Sequence, residues 1–81
     1  MSKWDKLIEK ILSGEADANI RFDEIAMLLQ RLGYRVTVHG SHHIYKKPDW
    51  PTLNLQPFGA YVKPYQVKQI RLALIAKGYA A

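Results

Sequence analysis

Three histidines, His39, His42 and His43, fall within five residues of one another, and they are the only side chains of this chain whose ordinary pKa lies near neutrality. Clustered around Gly40-Ser41, they admit three kinds of chemistry. The first is metal ligation. Alternation along a strand turns His42 and His43 to opposite faces, however, and the nearest acidic residue in sequence, Asp49, belongs to the next turn, so the donor set is poor. The second is no chemistry at all: polar rings flanking a turn, partly exposed and hydrogen-bonded. The third is proton transfer. An imidazole with Lys46, Lys47 and Lys63 nearby could take the proton of an RNA 2′-hydroxyl while a cation stabilises the charge on the phosphorane. RNA suits this better than DNA, because the 2′-hydroxyl is an internal nucleophile already beside the scissile phosphate, and no metal or other cofactor is required.

Such residues need a scaffold, and the hydrophobic pattern predicts one. Trp4, Leu7, Ile8, Ile11 and Leu12 recur at helical spacing between an N-cap at Ser2 and a stop at Gly14. A polar linker over 13–19 leads to a second helix carrying Phe22, Ile25, Ala26, Leu29 and Leu32, with Asp23 and Glu24 in its first turn, Arg31 in its last and Gly33 beyond it. The period then changes to two. Tyr34 to His39 reads as a strand, Gly40-Ser41 as a turn, His42 to Lys47 as a second strand, Pro48 to Pro51 as a turn, and Thr52 to Gln56 as a third strand. Residues 57–62 read as a loop, and Pro64 opens a last helix with Val67, Ile70, Ala73 and Leu74 on its apolar side. The expected class is α+β: a three-stranded antiparallel meander with helices on one face. Packing the aliphatic residues inward places Val36, Val38, Ile44, Leu53 and Leu55 on the core side and Arg35, Thr37, His39, His43, Tyr45, Lys47, Thr52, Asn54 and Gln56 on an outer, polar and basic face. A one-residue slip would instead turn His43 in and Ile44 out.

Composition narrows the partners. With 81 residues, roughly half the ~150 of an average domain, the chain forms one domain with a small core and shallow sites. The absence of cysteine excludes disulfides, thiolate metal sites and thiol nucleophiles, and fits a cytoplasmic location. No apolar run is long enough for a membrane span. Residues 1–33 carry five Lys and Arg against six Asp and Glu, a net −1; residues 34–81 carry seven against one, a net +6. That asymmetry is the footprint of a polyanion binder. Within the basic half, Tyr45 and Trp50 could stack on bases, although Trp50 between two prolines fits better as a turn anchor. Lys63, Lys68 and Arg71 lie by the start of the last helix, whose N-terminus favours phosphate.

The segment Gly40-Ser41-His42-His43-Ile44-Tyr45 resembles the Gly-Ser-x-His motif of the HicA family, small toxins of type II toxin–antitoxin modules that act as mRNA interferases. Leu53-Asn54-Leu55-Gln56-Pro57 is similar to that family's third strand, and Lys63-Pro64-Tyr65-Gln66-Val67-Lys68-Gln69-Ile70-Arg71 to the start of its last helix. The resemblance spans about residues 21–79, and it implies a fold like that of a double-stranded-RNA-binding domain. It further implies metal-independent endoribonuclease activity on mRNA, with His43, fourth in the motif, as general acid/base. Gly40 would make the tight turn, Ser41 would hold the turn or the phosphate, and His42 occupies the variable position. The implied partners are mRNA and a HicB-type antitoxin covering His43, with no membrane and no DNA on its own. The candidate RNA contacts are Gly40, Ser41, Tyr45, Lys46, Lys47, Lys63, Lys68 and Arg71. Residues 1–20 are an addition to the family pattern, suited to antitoxin docking, dimerisation or core coverage. The same face and fold would also serve a non-catalytic RNA-binding module, and a protein-interaction domain acting through the first helix is a third reading.

Overall fold

A computed structural model describes residues 2–80. Helix α1 (Lys3–Ser13) starts at a capping box, in which the Ser2 hydroxyl accepts from the Asp5 N–H and the Asp5 carboxylate accepts from the Ser2 N–H. It ends at Gly14, left-handed at φ 72°. A short 3-10 turn (Asp17–Asn19) leads to α2 (Phe22–Arg31), which buries Ile25, Leu28 and Leu29. Strands β1 (Arg35–His39), β2 (His42–Lys46) and β3 (Leu53–Leu55) form an antiparallel sheet in sequence order. Helix α3 (Pro64–Ala76) has Pro64 in its first turn and buries Val67, Ile70, Ala73 and Leu74, with Gln66 as the buried polar residue. Helix α2, the three-stranded meander and helix α3 follow one another as expected, with one addition between β3 and α3.

Residues 57–62 differ from the expected loop. They form a small hairpin of β4 (Pro57–Phe58) and β5 (Tyr61–Val62) turning at Gly59, which has φ 61°. Two-residue strands carry no readable periodicity, so this pairing is set by its surroundings: the Val62 N–H donates to the Ile20 carbonyl at 2.9 Å and the Phe22 N–H to the Ala60 carbonyl at 3.0 Å. The hairpin is thereby tied to the entry of α2.

The facing of β2 is also corrected. Val36 pairs with Tyr45 and Val38 with His43 across β1–β2, while His43 pairs with Leu55 and Tyr45 with Leu53 across β2–β3. Directly opposed residues share a face, so His43 and Tyr45 lie on the helix side with Leu53 and Leu55, and Ile44 lies outside with Thr37 and Asn54. The reason is the turn. A two-residue connection at Gly40-Ser41 pairs His39 with His42 and therefore Val38 with His43; placing Val38 and Ile44 together would need a loop of odd length. Gly40 at φ 62° in the first central position is the signature of a type II′ turn, whose twist matches that of the strands.

The expected core role of Val36 and Val38 is corrected too. Every residue of β1 is exposed, Val38 by 55% and Val36 by 36%. They point to the inner side, but the helix layer covers β2 and β3 and stops short of β1. The core it does cover runs from Leu7 and Ile11 of α1 through Ile25, Leu28 and Leu29 of α2 and Tyr45, Leu53 and Leu55 of the sheet to Val67, Ile70 and Leu74 of α3. Helix α1 therefore contributes buried surface to the same core, packing against α3.

Candidate functional site

His43 is held by three neighbours. Its strand partners Val38 and Leu55 flank it on the sheet, and its ring meets that of Phe22, the first residue of α2, edge-on with centroids 4.8 Å apart at 67°. An edge-to-face contact of this kind fixes the imidazole plane. The ring is half-buried, and its β1 partner Val38 is exposed. His43 is thus at the border of the core rather than on the outer sheet face where the alternation argument put it. Phe22 is the positioning neighbour that sequence reasoning took only as a core residue. No spacing rule links residues 22 and 43, and only the packing of α2 over β2 brings them together.

The other histidines go elsewhere. His39 and His42 face each other across the hairpin on the outer side, His42 with its Nδ1 3.4 Å from the Asn54 Oδ1. Among the described residues, no group of three His, Asp or Glu side chains is disposed to hold a metal ion. Ser41, in the turn, accepts from the Gln56 side-chain amide at 2.9 Å, which links the β1–β2 turn to the residue after β3. Gln56 in turn gives its backbone N–H to the Gln66 side-chain carbonyl at 3.1 Å. The turn is therefore braced through Gln56 to α3.

Several expected RNA contacts are not available. Tyr45 is 1% exposed and packs edge-on against Tyr34 with centroids 6.5 Å apart, so its ring presents no face to a base. Burial pushes the Tyr45 phenol pKa up, as it does that of Tyr34, whose hydroxyl donates to the Pro51 carbonyl at 2.9 Å. The Lys47 ammonium caps α2 by donating to the Leu32 carbonyl and lies 4.3 Å from the centroid of the Trp50 ring. Trp50 is half-buried, edge-on to Tyr34, and anchors the turn between β2 and β3. Arg71 lies well inside α3, where its guanidinium grips both Asp17 carboxylate oxygens, at 2.9 and 2.8 Å, and also donates to the Ile11 carbonyl at 2.9 Å. The side-chain hydrogen bond to Asp17 raises the Arg71 pKa above its already high ordinary value, so this cation is committed to holding the α1 linker on α3.

Lys46 and Lys68 are exposed, and Lys63, half-buried, is the N-cap residue of α3. Lys46 sits directly opposite Arg35 on the outer face, where the two border a depression of about 810 Å³ with Thr37 and Thr52. Like charges opposed across strands repel, and an anion between them removes that penalty. Arg35 was legible only as one cation of a basic half; its pairing with Lys46 follows from the register.

The model of a family described as HicA toxin of bacterial toxin-antitoxin matches residues 22–77, from the first residue of α2 to the end of α3. No curated protein and no solved structure matches the chain.

Proposed function

Since this chain belongs to the HicA family of bacterial toxin–antitoxin toxins, we propose that it acts as an endoribonuclease on mRNA, with His43 as the general acid/base. Family membership itself implies an antitoxin partner. The reading rests on the His43 imidazole: fourth in the Gly40-Ser41-His42-His43 turn, edge-on to Phe22, half-buried, and paired with the exposed Val38. A ring oriented by a packing neighbour and only half-buried suits the requirement that a general base stand within hydrogen-bond reach of the proton it removes.

In the proposed reaction His43 accepts the proton of a ribose 2′-hydroxyl as that oxygen attacks the adjacent phosphorus. The bond from phosphorus to the 5′-oxygen breaks, the 5′-oxygen takes up a proton, and a 2′,3′-cyclic phosphate is left on the other product. No step calls for a metal. The opposed pair Arg35 and Lys46 would bind backbone phosphate on the outer face, so an RNA strand crossing the exposed β1 edge would meet both the cations and the imidazole. A HicB-type antitoxin would inhibit by covering His43.

The test is cleavage of labelled RNA in excess chelator by the parent protein, His43→Ala and His42→Ala. Cleavage that survives chelator, is lost in His43→Ala and persists in His42→Ala supports the reading. Binding without cut products by the parent protein would replace it with a non-catalytic RNA-binding module. Cleavage at the parent rate by His43→Ala would remove His43 from the chemistry.

A further inference from the structure

At the β3 edge of the sheet, where the outer-facing side chains of β2 and β3 meet the start of α3, six residues line a cavity of about 210 Å³: His42, Asn54, Gln56, Tyr65, Gln66 and Gln69. None is a lysine, arginine or carboxylate, so among the described residues this lining offers a phosphate no cation. It offers amides instead, and their internal bonds settle which groups remain for a ligand. Gln56 donates its side-chain N–H to Ser41, which leaves its Oε1 as an acceptor. Gln66, 3% exposed, accepts at Oε1 from the Gln56 backbone N–H, which leaves its amide nitrogen as a donor. With a proton on His42 Nδ1, the contact to Asn54 Oδ1 leaves the Asn54 amide nitrogen as a second donor and His42 Nε2 as an acceptor. Gln69 is exposed on α3, and its amide carries both a donor and an acceptor. Tyr65 is 57% exposed and supplies a ring face.

Neutral donors and acceptors held side by side match the edge of a nucleobase, to which Asn and Gln amides pair through two hydrogen bonds. An accessible aromatic ring adds a surface on which an unpaired base stacks. We propose that this cavity is a base-reading site that holds one unpaired nucleobase of an RNA beside the Gly40–His43 turn. The proposal rests on RNA being the substrate, as argued above. It assigns the choice of RNA sequence to neutral amides on one side of the hairpin, apart from the cations Arg35 and Lys46 that would hold the backbone.

The test is an NMR titration of the 81-residue chain, following the side-chain amide signals of Asn54, Gln56, Gln66 and Gln69. The probes are AMP, CMP, GMP and UMP, with ribose 5-phosphate as the control that lacks a base. Saturable shifts with at least one nucleotide and none with ribose 5-phosphate are expected. Gln69→Ala removes an exposed side chain, so the core is kept, and it should weaken that binding by roughly fivefold or more. The proposal is overturned if ribose 5-phosphate moves the same signals equally, if nucleotides move only signals around Arg35 and Lys46, or if Gln69→Ala binds as the parent does. Nothing is cleaved in this experiment. Shifts from a protein that cuts no RNA would retire the nuclease reading and keep the base site, whereas cleavage without shifts would retire the base site alone.

Discussion

Replacing Arg71 by Ala should unfold this protein far more readily while leaving the candidate RNA surfaces untouched. The side chains of Arg71 and Asp17 are 16% and 22% exposed, and three hydrogen bonds join the guanidinium to the Asp17 carboxylate and the Ile11 carbonyl. A charge-assisted hydrogen bond contributes about 1.5–3 kcal/mol, and removing one partner of a fully buried ion pair costs about 3–5 kcal/mol. Residual exposure lowers the second figure, and the three bonds share two groups and do not add, so about 2–4 kcal/mol is expected. A chain of this length has roughly 4–12 kcal/mol in all, at ~0.05–0.15 kcal/mol per residue. The midpoint of thermal unfolding should therefore fall by roughly 8–32 °C, at ~4–8 °C per kcal/mol for a small domain. The assay is reversible urea and thermal unfolding of Arg71→Ala, Asp17→Ala and the double variant, since the cycle isolates the coupling between the two groups. The exposed pair Arg21 and Asp23, with side chains 49% and 66% exposed, is the internal control. Arg21→Ala should leave the unfolding midpoint where it is in the parent protein, since solvent screens an exposed pair of this kind. If Arg71→Ala lost less than about 0.5 kcal/mol yet weakened RNA binding, Arg71 would be a substrate contact and its assignment to the α1 linker wrong.

His43→Ala should lower RNA cleavage by about 10²–10⁴-fold while the protein stays folded, and His42→Ala should keep most of the activity, both read from initial rates on labelled RNA. Stability should fall as pH rises above about 10, because burial raises the pKa of Tyr45 and Tyr34, so the folded state holds phenolic protons that the unfolded chain has already released. Urea midpoints from pH 8 to 11 check this, and a Tyr45→Phe variant should show a shallower alkaline loss. Gly40→Ala should cost about 1–2 kcal/mol in urea unfolding, from the left-handed φ of 62° alone, since a Cβ there meets nothing within 4 Å. A larger loss would mean that the turn packs against something.

The three helices and the three-stranded sheet of this protein were legible because each is marked locally, whereas the β4–β5 hairpin carries no local mark. Ser2 and Asp5 close a capping box, Gly14 stops α1, Pro64 starts α3, and the change of period at Tyr34 announces the sheet. The Gly40-Ser41-His42-His43 motif likewise stood in the sequence, and it lies within residues 22–77 that the family model matches. The facing of His43 was legible too, in the length of the turn: two residues between His39 and His42 force His43 onto the face of Val38. Weighting aliphatic burial over turn length gave the opposite result, since Ile44 is the more hydrophobic neighbour. The tertiary structure shows why burial misled. The helix layer leaves β1 uncovered, so Val36 and Val38 are not buried, while Tyr45 fills the core against Tyr34.

Sequence alone determined the three helices, the three-stranded meander with its turns and the basic C-terminal half, because those depend on residues a few positions apart and on simple sums of charge; the β4–β5 hairpin was not among them. Only the packed chain decided which side chains those elements leave for chemistry. Arg71 reaches across 54 positions to Asp17, Phe22 across 21 to His43, and Gln66 across 10 to Gln56. Contacts of that span arise from how helices are laid over a sheet. That arrangement minimises exposed apolar surface over the whole chain at once, and no local pattern encodes it.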